Sequence, residues 1–388
     1  MLRAISHQFS IALSCRLHEI RSVWHNTFAA FRHRNYRLFF TGQLVSVIGT
    51  WMQQVALGWL VYDLSHSAFT LGWVRFLSAV PVTLLALVGG AVADRMEKRR
   101  VVVVTESVAM LLAFALAALV ATGVVTVWQI ALVGLLEGIT DAFDIPARQS
   151  FVVEMVGKDD LMNAIALNSS LFNGARVFGP ALAGVLIAVI GVTGCFFVNG
   201  VSYLAVVAAY LAMRLPAAPP RADRQPMWRE TLDAMRYVAG HRTLRAVMGL
   251  VTVVSLFGWP YSVLLPVFAR DTLHTGASGF GFLMAANGLG ALAGALALAS
   301  LAGSGFFMII FFATANTAVQ TRVPDELRGR VMGIYSLAFI GLTPFGSLLA
   351  GALAKTTSAA FTVTLGALIC ILAGIITMWL MTPRKGTT

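Results

Sequence analysis

The sequence is poor in charge. Only 12% of its 388 residues are Asp, Glu, Lys or Arg, 58% are hydrophobic, and the mean hydropathy is +0.80. Soluble domains carry roughly 25% charged residues, so a water-soluble enzyme is excluded. Cysteine is scarce as well. Cys15, Cys195 and Cys370 are far apart, odd in number and without ligand spacing, which argues against a disulfide framework and a metal site. The sequence has no phosphate-cradling Gly-Lys-Ser/Thr loop, no HExxH and no Gly-x-Ser-x-Gly elbow, and its seven histidines fall in expected tails and loops. The expectation is a non-enzyme without a cofactor, drawing any energy it needs from an ion gradient such as that of protons. Acids are outnumbered, 17 Asp+Glu against 28 Lys+Arg, for a formal charge of +11. In a soluble chain that excess would suggest nucleic acid, but the placement of the charges argues against such a partner.

What the chain has in abundance is apolar runs. A hydrocarbon core of about 30 Å at 1.5 Å per residue needs about 20 residues per helical span. Such segments lie near 38–62, 71–93, 101–122, 127–149, 165–190 and 195–213, then near 246–268, 279–301, 304–321, 331–354 and 359–381. The expected class is therefore an all-α polytopic membrane protein of about 11 spans. Its parts are an extension 1–37, a six-helix bundle 38–213, a linker 214–245, a shorter bundle 246–381 and a tail 382–388. Lys and Arg resist translocation and mark cytoplasmic loops. The extension, the loops after spans two and four, the linker, the stretch after the ninth segment and the tail together hold 24 of the 28 basic residues. N-terminus, linker and tail are thus expected in the cytoplasm, with the bundles in a cytoplasmic membrane. Residues 1–30 lack the long apolar run and cleavage site of a secretory signal.

The two bundles repeat each other. Ser46-Val47-Ile48-Gly49 and Gly72 match Ser255-Leu256-Phe257-Gly258 and Gly281 at an offset of 209 residues. Gly179, Leu182, Ala183 and Gly184 match Gly346, Leu349, Ala350 and Gly351 at an offset of 167. The second bundle is therefore 42 residues short, with the break between about 300 and 306. The missing piece corresponds to a basic loop, span three and half of span four. An odd span count conflicts with basic residues on one side throughout. Either 303–321 enters and leaves on one face, or span eight is displaced, or the last three segments invert. A compromised C-terminal bundle is expected.

The loop after span two reads Gly90-Ala91-Val92-Ala93-Asp94-Arg95-Met96-Glu97-Lys98-Arg99-Arg100. A Gly, an Asp four residues on, an Arg beside it and a basic pair soon after resemble the major facilitator superfamily's signature between helices two and three. Gly49-Thr50-Trp51-Met52-Gln53-Gln54, Pro146-Ala147-Arg148-Gln149 and Pro324-Asp325-Glu326-Leu327-Arg328-Gly329-Arg330 resemble its enterobactin-exporter-like branch. The similarity runs from about Phe31 to Met381. It implies two six-helix lobes rocking about a midplane site, and a bacterial inner-membrane exporter acting on a small-molecule substrate, expected as a monomer in contact with lipid. It also implies that the loop is a latch, with Asp94, Arg95 and Arg99 pairing with charges on neighbouring helices in one conformation. Arg95 or Arg99 could reach Asp141 or Asp144. The plainer reading is that the basic cluster only enforces orientation.

Glu137, Asp141 and Asp144 are spaced 4 and 3 apart, on one helical face of span four. Asp141 and Asp144 suit partnership with the basic loops. Glu137 lies near mid-bilayer, where a carboxylate is costly and tends to be functional; it is a candidate for proton or substrate contact, or else is satisfied by Gln53, Gln54 or a hydroxyl. In span five, Asn168 and Asn173 are further candidates, and Arg176 must find an acid or a carbonyl, with a structural role favoured over anion binding. Gly179-Pro180 with Gly184 resembles part of the family's antiporter motif and suggests a helix bend. Arg75 reads as snorkelling to the outer interface. The tryptophans read as an interfacial belt, without an aromatic cage. The reading is a proton-coupled exporter of small amphipathic molecules working by alternating access. Its rival is a transport-inactive truncated protein, or an interaction subunit retaining the N-terminal bundle.

Overall fold

The computed structural model describes residues 28–157, 159–214, 235–293 and 311–381 apart from 313, 317 and 320, and gives backbone alone at 86, 87, 94, 177, 288–293 and 325–330. Most of the expected extension and linker, all of the tail, and the break near 300–306 lie outside these residues. After a short 3-10 turn, Ala29–Arg32, ten helices follow among the described residues: α1 Arg34–Ser65, α2 Ala68–Arg95, α3 Lys98–Ala121, α4 Val127–Val156, α5 Leu161–Ala212, α6 Arg242–Thr272, α7 Ala277–Ala293, α8 Asp325–Ser336, α9 Thr343–Thr356 and α10 Ala359–Met381. Residues 235–240 and the residues described between 311 and 319 are also helical. Only a helix lets an apolar run satisfy its own backbone in lipid, which is why each run takes this form.

Local chemistry sets the ends. Ser67 caps α2 by accepting from the Thr70 N–H, and Thr126 with Gln129 forms a capping box at α4. α5 covers two expected spans in two arms, joined at Gly191, whose φ of 69° and ψ of 178° suit only glycine. That non-helical break lies beyond the expected bend at Gly179-Pro180, through which the helix continues. α6 is irregular, passing through π and 3-10 turns, and a π turn, Leu337–Gly341, links α8 to α9.

In the first lobe α1 packs along both arms of α5, α2 on α4, and α3 on the second arm of α5, where Phe114 meets Phe197. The second lobe has an interior too, in which Phe312, Ala315 and Val319 close against Leu244 and Val251 of α6 and Val331 and Tyr335 of α8. The Tyr335 hydroxyl donates to the Phe312 carbonyl at 2.9 Å. Its shortfall shows at α10. The buried positions there, Thr362, Gly366 and Thr377, are the 167-residue counterparts of buried Cys195, Asn199 and Tyr210. Gly200, which Phe114 of α3 covers on the second arm of α5, is buried, whereas its counterpart on α10, Ala367, is exposed among the described residues.

The lobes join at two equivalent crossings. A Cβ built on Gly72 of α2 would lie 3.2 Å from the Gly351 Cα of α9, and one on Gly184 of α5 would lie 3.3 Å from the Gly281 Cα of α7. Gly281 is the repeat mate of Gly72, and Gly351 that of Gly184, so duplication has made one backbone-to-backbone contact twice. Beside them Tyr62 donates to Asp271, its own mate at 209 residues, and Arg270 pairs with Asp63. These contacts lie at the end remote from Arg34 and Arg99. Because Gly351 near the end of α9 meets Gly72 near the start of α2, the last helices run as their first-lobe counterparts do. Inversion of the closing segments, one of the three resolutions of the odd count, is thereby excluded.

Two substitutions separate packing from charge. Gly281→Val forces an isopropyl group into backbone and should cost the closed end about 1–3 kcal/mol, read as a longer spin-label distance between Ser65 and Ser278. Arg270→Ala breaks a half-exposed pair worth about 0–1 kcal/mol, and should shift that distance distribution far less.

Candidate functional site

The first lobe carries its charge inside. α4 reaches Val156, so Arg148, expected in a cytoplasmic loop, sits in the helix with its acids. Its guanidinium donates to Gln43 Oε1 at 2.9 Å, pairs with Asp144 at 3.2 Å one turn back, and lies 3.8 Å from Glu106 of α3. Gln43 in turn donates to Glu106 at 3.3 Å, and Thr105 donates to Asp144 at 2.9 Å. Glu106 and Asp144 are 4% and 5% exposed, a burial that ionised groups tolerate only when paired and hydrogen-bonded. Three helices, α1, α3 and α4, are thus tied around one guanidinium.

Nearer mid-span, Gln53 donates to Glu137 at 2.6 Å and accepts from Asn199 at 2.8 Å. Of the two readings of Glu137, its contact with Gln53 is present; Gln54 points elsewhere. Asp141, one turn on, makes no hydrogen bond or ion pair among the described residues and is exposed despite its place in mid-helix. It faces a cavity of about 180 Å³ walled by Trp51, Phe172 and Tyr203. Polar side chains, among them Thr50, Thr105, Glu106, Thr140, Asp144 and Arg148, make up most of the rest of its lining. Gln54 lines this cavity and a smaller one of about 80 Å³ between the lobes, where Arg75 meets Ser262 and Phe280. Arg75 does not snorkel outward. It turns to the lobe interface, within electrostatic reach of Asp141 and Glu137.

The remaining candidates are dispersed. Arg99 donates to the carbonyls of Leu211 and Met213 at 2.8 and 3.2 Å, closing the C-terminal end of α5. It does not touch Asp141 or Asp144, because Arg148 on their own helix is nearer. Arg95 is exposed at the end of α2, and Asp94 is described by its backbone alone. Lys98 pairs with Glu154. Asn173 donates to Ser169 on its own helix, while Asn168 Oδ1 and Arg176 Nε are buried without partners. Arg176 meets neither acid nor carbonyl through that nitrogen; its electrostatic neighbour is Tyr261 of the other lobe. Pro180 and Gly184 serve the crossing of α5 with α7.

Sequence reading missed Glu106, Arg148, Gln43 and Asn199 as site residues. An ionisable group inside a span was the available signal for Glu106. The neutral amides gave none.

The profile of the transmembrane secretion effector family matches in two segments, residues 25–304 and 298–387, which meet where the internal repeat breaks. The chain is 28% identical over 251 residues to the staphyloferrin A transporter of Staphylococcus aureus, covering 64% of this chain and 62% of that protein. It is 25% identical to the multidrug efflux pump Tap of Mycolicibacterium fortuitum, covering 88% and 94%. It is 24% identical to the enterobactin exporter EntS of Citrobacter koseri, covering 66% and 60%. Among solved structures the fold is similar to the nucleoside transporter NupG, with a TM-score of 0.69 at 12% identity over 91% of this chain and 100% of that one. It is also similar to a bacterial homologue of ferroportin in its inward-facing state, with a TM-score of 0.66 at 15% identity over 90% and 99%. With its polar interior placed in the first of two lobes that meet at duplicated glycine crossings, this all-α polytopic membrane protein belongs to the transmembrane secretion effector family of the major facilitator superfamily, in the enterobactin-exporter-like branch.

Proposed function

We propose that the chain is a proton-coupled exporter of small amphipathic molecules, working by alternating access in a bacterial inner membrane with its N-terminus in the cytoplasm. The observation that carries this reading is the stack of carboxylates on α4, with Glu137 bonded to Gln53 and Asp141 open to the cleft, beneath a lobe interface joined at the far end. A carboxylate exchanging between a buried hydrogen bond and an open cavity has the two environments that proton carriage requires. The proton gradient then supplies about 2.3 kcal/mol per charge per 100 mV. The excess of Lys and Arg at the end away from the crossings favours that end as cytoplasmic, with the cleft accessible from within. The names of the three relatives, a staphyloferrin A transporter, an enterobactin exporter and a multidrug efflux pump, favour small-molecule cargo.

In this reading residues 94–100 are the latch. Arg99 on the carbonyls at the end of α5 is its engaged contact here, and rocking to the opposite state exchanges that contact for others. A second reading, a transport-inactive chain, is favoured by one observation, the broken family match at 298–304.

Everted vesicles loaded by a panel of fluorescent amphiphiles decide between them. Proton-driven accumulation that collapses with an uncoupler and falls at least tenfold in Glu137→Gln is the expected result. Normal membrane expression with no gradient-dependent movement of any compound would establish the inactive chain instead. In the same vesicles Arg99→Ala should lower the turnover rate with little change in half-saturating concentration, as befits a residue remote from cargo.

A further inference from the structure

The basic run that opens α3 is only partly spent inside the first lobe. Lys98 pairs with Glu154 and Arg99 holds the carbonyls at the end of α5, whereas Arg100 is exposed and makes no hydrogen bond or ion pair among the described residues. Arg100 lines one end of a groove of about 430 Å³ between α3 and α4, separate from the cleft that Asp141 faces. The lining of this groove is apolar apart from Arg100, Thr105 and Thr140. Both hydroxyls are spent elsewhere, Thr105 donating to Asp144 and Thr140 to the Leu136 carbonyl, each at 2.9 Å. The groove therefore offers one cation at its mouth and hydrocarbon along its length.

Length and placement narrow the occupant. From Arg100 to Leu112 the groove follows α3 for about 18 Å at 1.5 Å per residue. Half of a hydrocarbon core is about 15 Å, so the groove is one leaflet deep with Arg100 at the level of the headgroups. Its wall on α4 is Leu136, Ile139 and Phe143, a stripe turned away from the one that Asp141, Asp144 and Arg148 present to the cleft. The lobes meet through α1, α2 and α5, so a groove between α3 and α4 opens outward, to lipid. A convex helix face accepts any lipid, whereas a groove with a lone cation at its headgroup end selects one whose head is negative.

We infer that this groove holds an anionic phospholipid of the cytoplasmic leaflet, its headgroup on Arg100 and one acyl chain between α3 and α4. The phosphate supplies the charged acceptor that Arg100 lacks among the described residues. Thr105 and Thr140 line the groove on one side and the cleft on the other, so a wall one residue thick separates the acyl chain from the network around Arg148. A filled groove holds α3 against α4, and with them Glu106 against Arg148. The lipid is thus a structural ligand of the first lobe and not cargo. Only the choice of leaflet rests on the orientation adopted in the exporter reading.

The test is lipid binding by the full chain in non-ionic detergent, counted by native mass spectrometry for phosphatidylglycerol and phosphatidylcholine of matched chains, with a photoreactive acyl chain marking where the tail lies. Saturable binding of phosphatidylglycerol is expected, about fivefold or more tighter than that of phosphatidylcholine, with its tail cross-linked within 104–112 or 136–143. Arg100→Gln should abolish that preference and Arg100→Lys should keep most of it. Val108→Trp, which fills the groove, should remove the saturable site; each variant is checked for monodispersity and helical content. Equal affinity for the two lipids would overturn the inference, as would cross-links confined to other surfaces, an unchanged preference in a folded Arg100→Gln chain, or displacement by millimolar glycerol 3-phosphate, which carries the head without the tail. The cross-link map of the unaltered chain keeps the test decisive where a variant misfolds. Selective lipid binding by a chain that moves no compound would leave the groove assigned and sink the exporter reading. Uncoupler-sensitive efflux by a chain without lipid preference would do the reverse.

Discussion

Lipid offers no hydrogen bonds, so each charge that α4 carries into the membrane has to be answered from within the first lobe. That requirement explains the arrangement around Arg148. Gln43 on α1 and Glu106 on α3 are brought to it, and the helices bearing them are held at the separation those bonds allow. Removing the guanidinium would leave Glu106 and Asp144 buried and unanswered, a far larger penalty than losing any exposed pair such as Lys98 with Glu154. The first lobe is built around this network, and the second has no counterpart to it among the described residues.

The lobes communicate by a different kind of contact. Gly72 against Gly351, and Gly184 against Gly281, place backbone on backbone, with no side chain between them. Such contacts are short-ranged and all-or-none, so the interface can hinge about them without sliding gradually. The paired mates Tyr62 and Asp271 sit beside the crossings, where the duplication brings equivalent positions of α1 and α6 face to face. The polar network ties the helices of the first lobe together, and in the proposed alternating access the glycine crossings would be the axis. Between the two lies Gln54, lining both cavities.

Most of the fold was legible. Long apolar runs allow little in lipid except spanning helices, and the repeat at 209 and 167 residues located the shortened second half, a break that the two-piece family match also carries. The site was legible only in part. The spacing of Glu137, Asp141 and Asp144 put them on one face, but Arg148, two residues after Pro146 and at the very end of the apolar run 127–149, was counted with the basic residues of the loop after span four. Proline is tolerated there because α4 is buttressed by its neighbours, and the helix continues for another ten residues beyond it. Glu106 was lost in the apolar average of its span, and Trp51, Phe172 and Tyr203 share nothing in sequence that marks them as neighbours.

The sequence by itself determined that the chain crosses a membrane many times, that its halves are duplicates, and which side chains share a helical face. Those properties follow from hydrophobic length and from 3.6 residues per turn, both of which act along the chain. Only the tertiary structure decided that Arg148 answers Asp144 while Asp141 stays open, that Arg75 turns inward, and that three distant aromatics wall one cavity. Distances between side chains on different helices depend on how far each helix is rotated and tilted. That is fixed by glycine crossings and core packing many residues away, which no local pattern encodes.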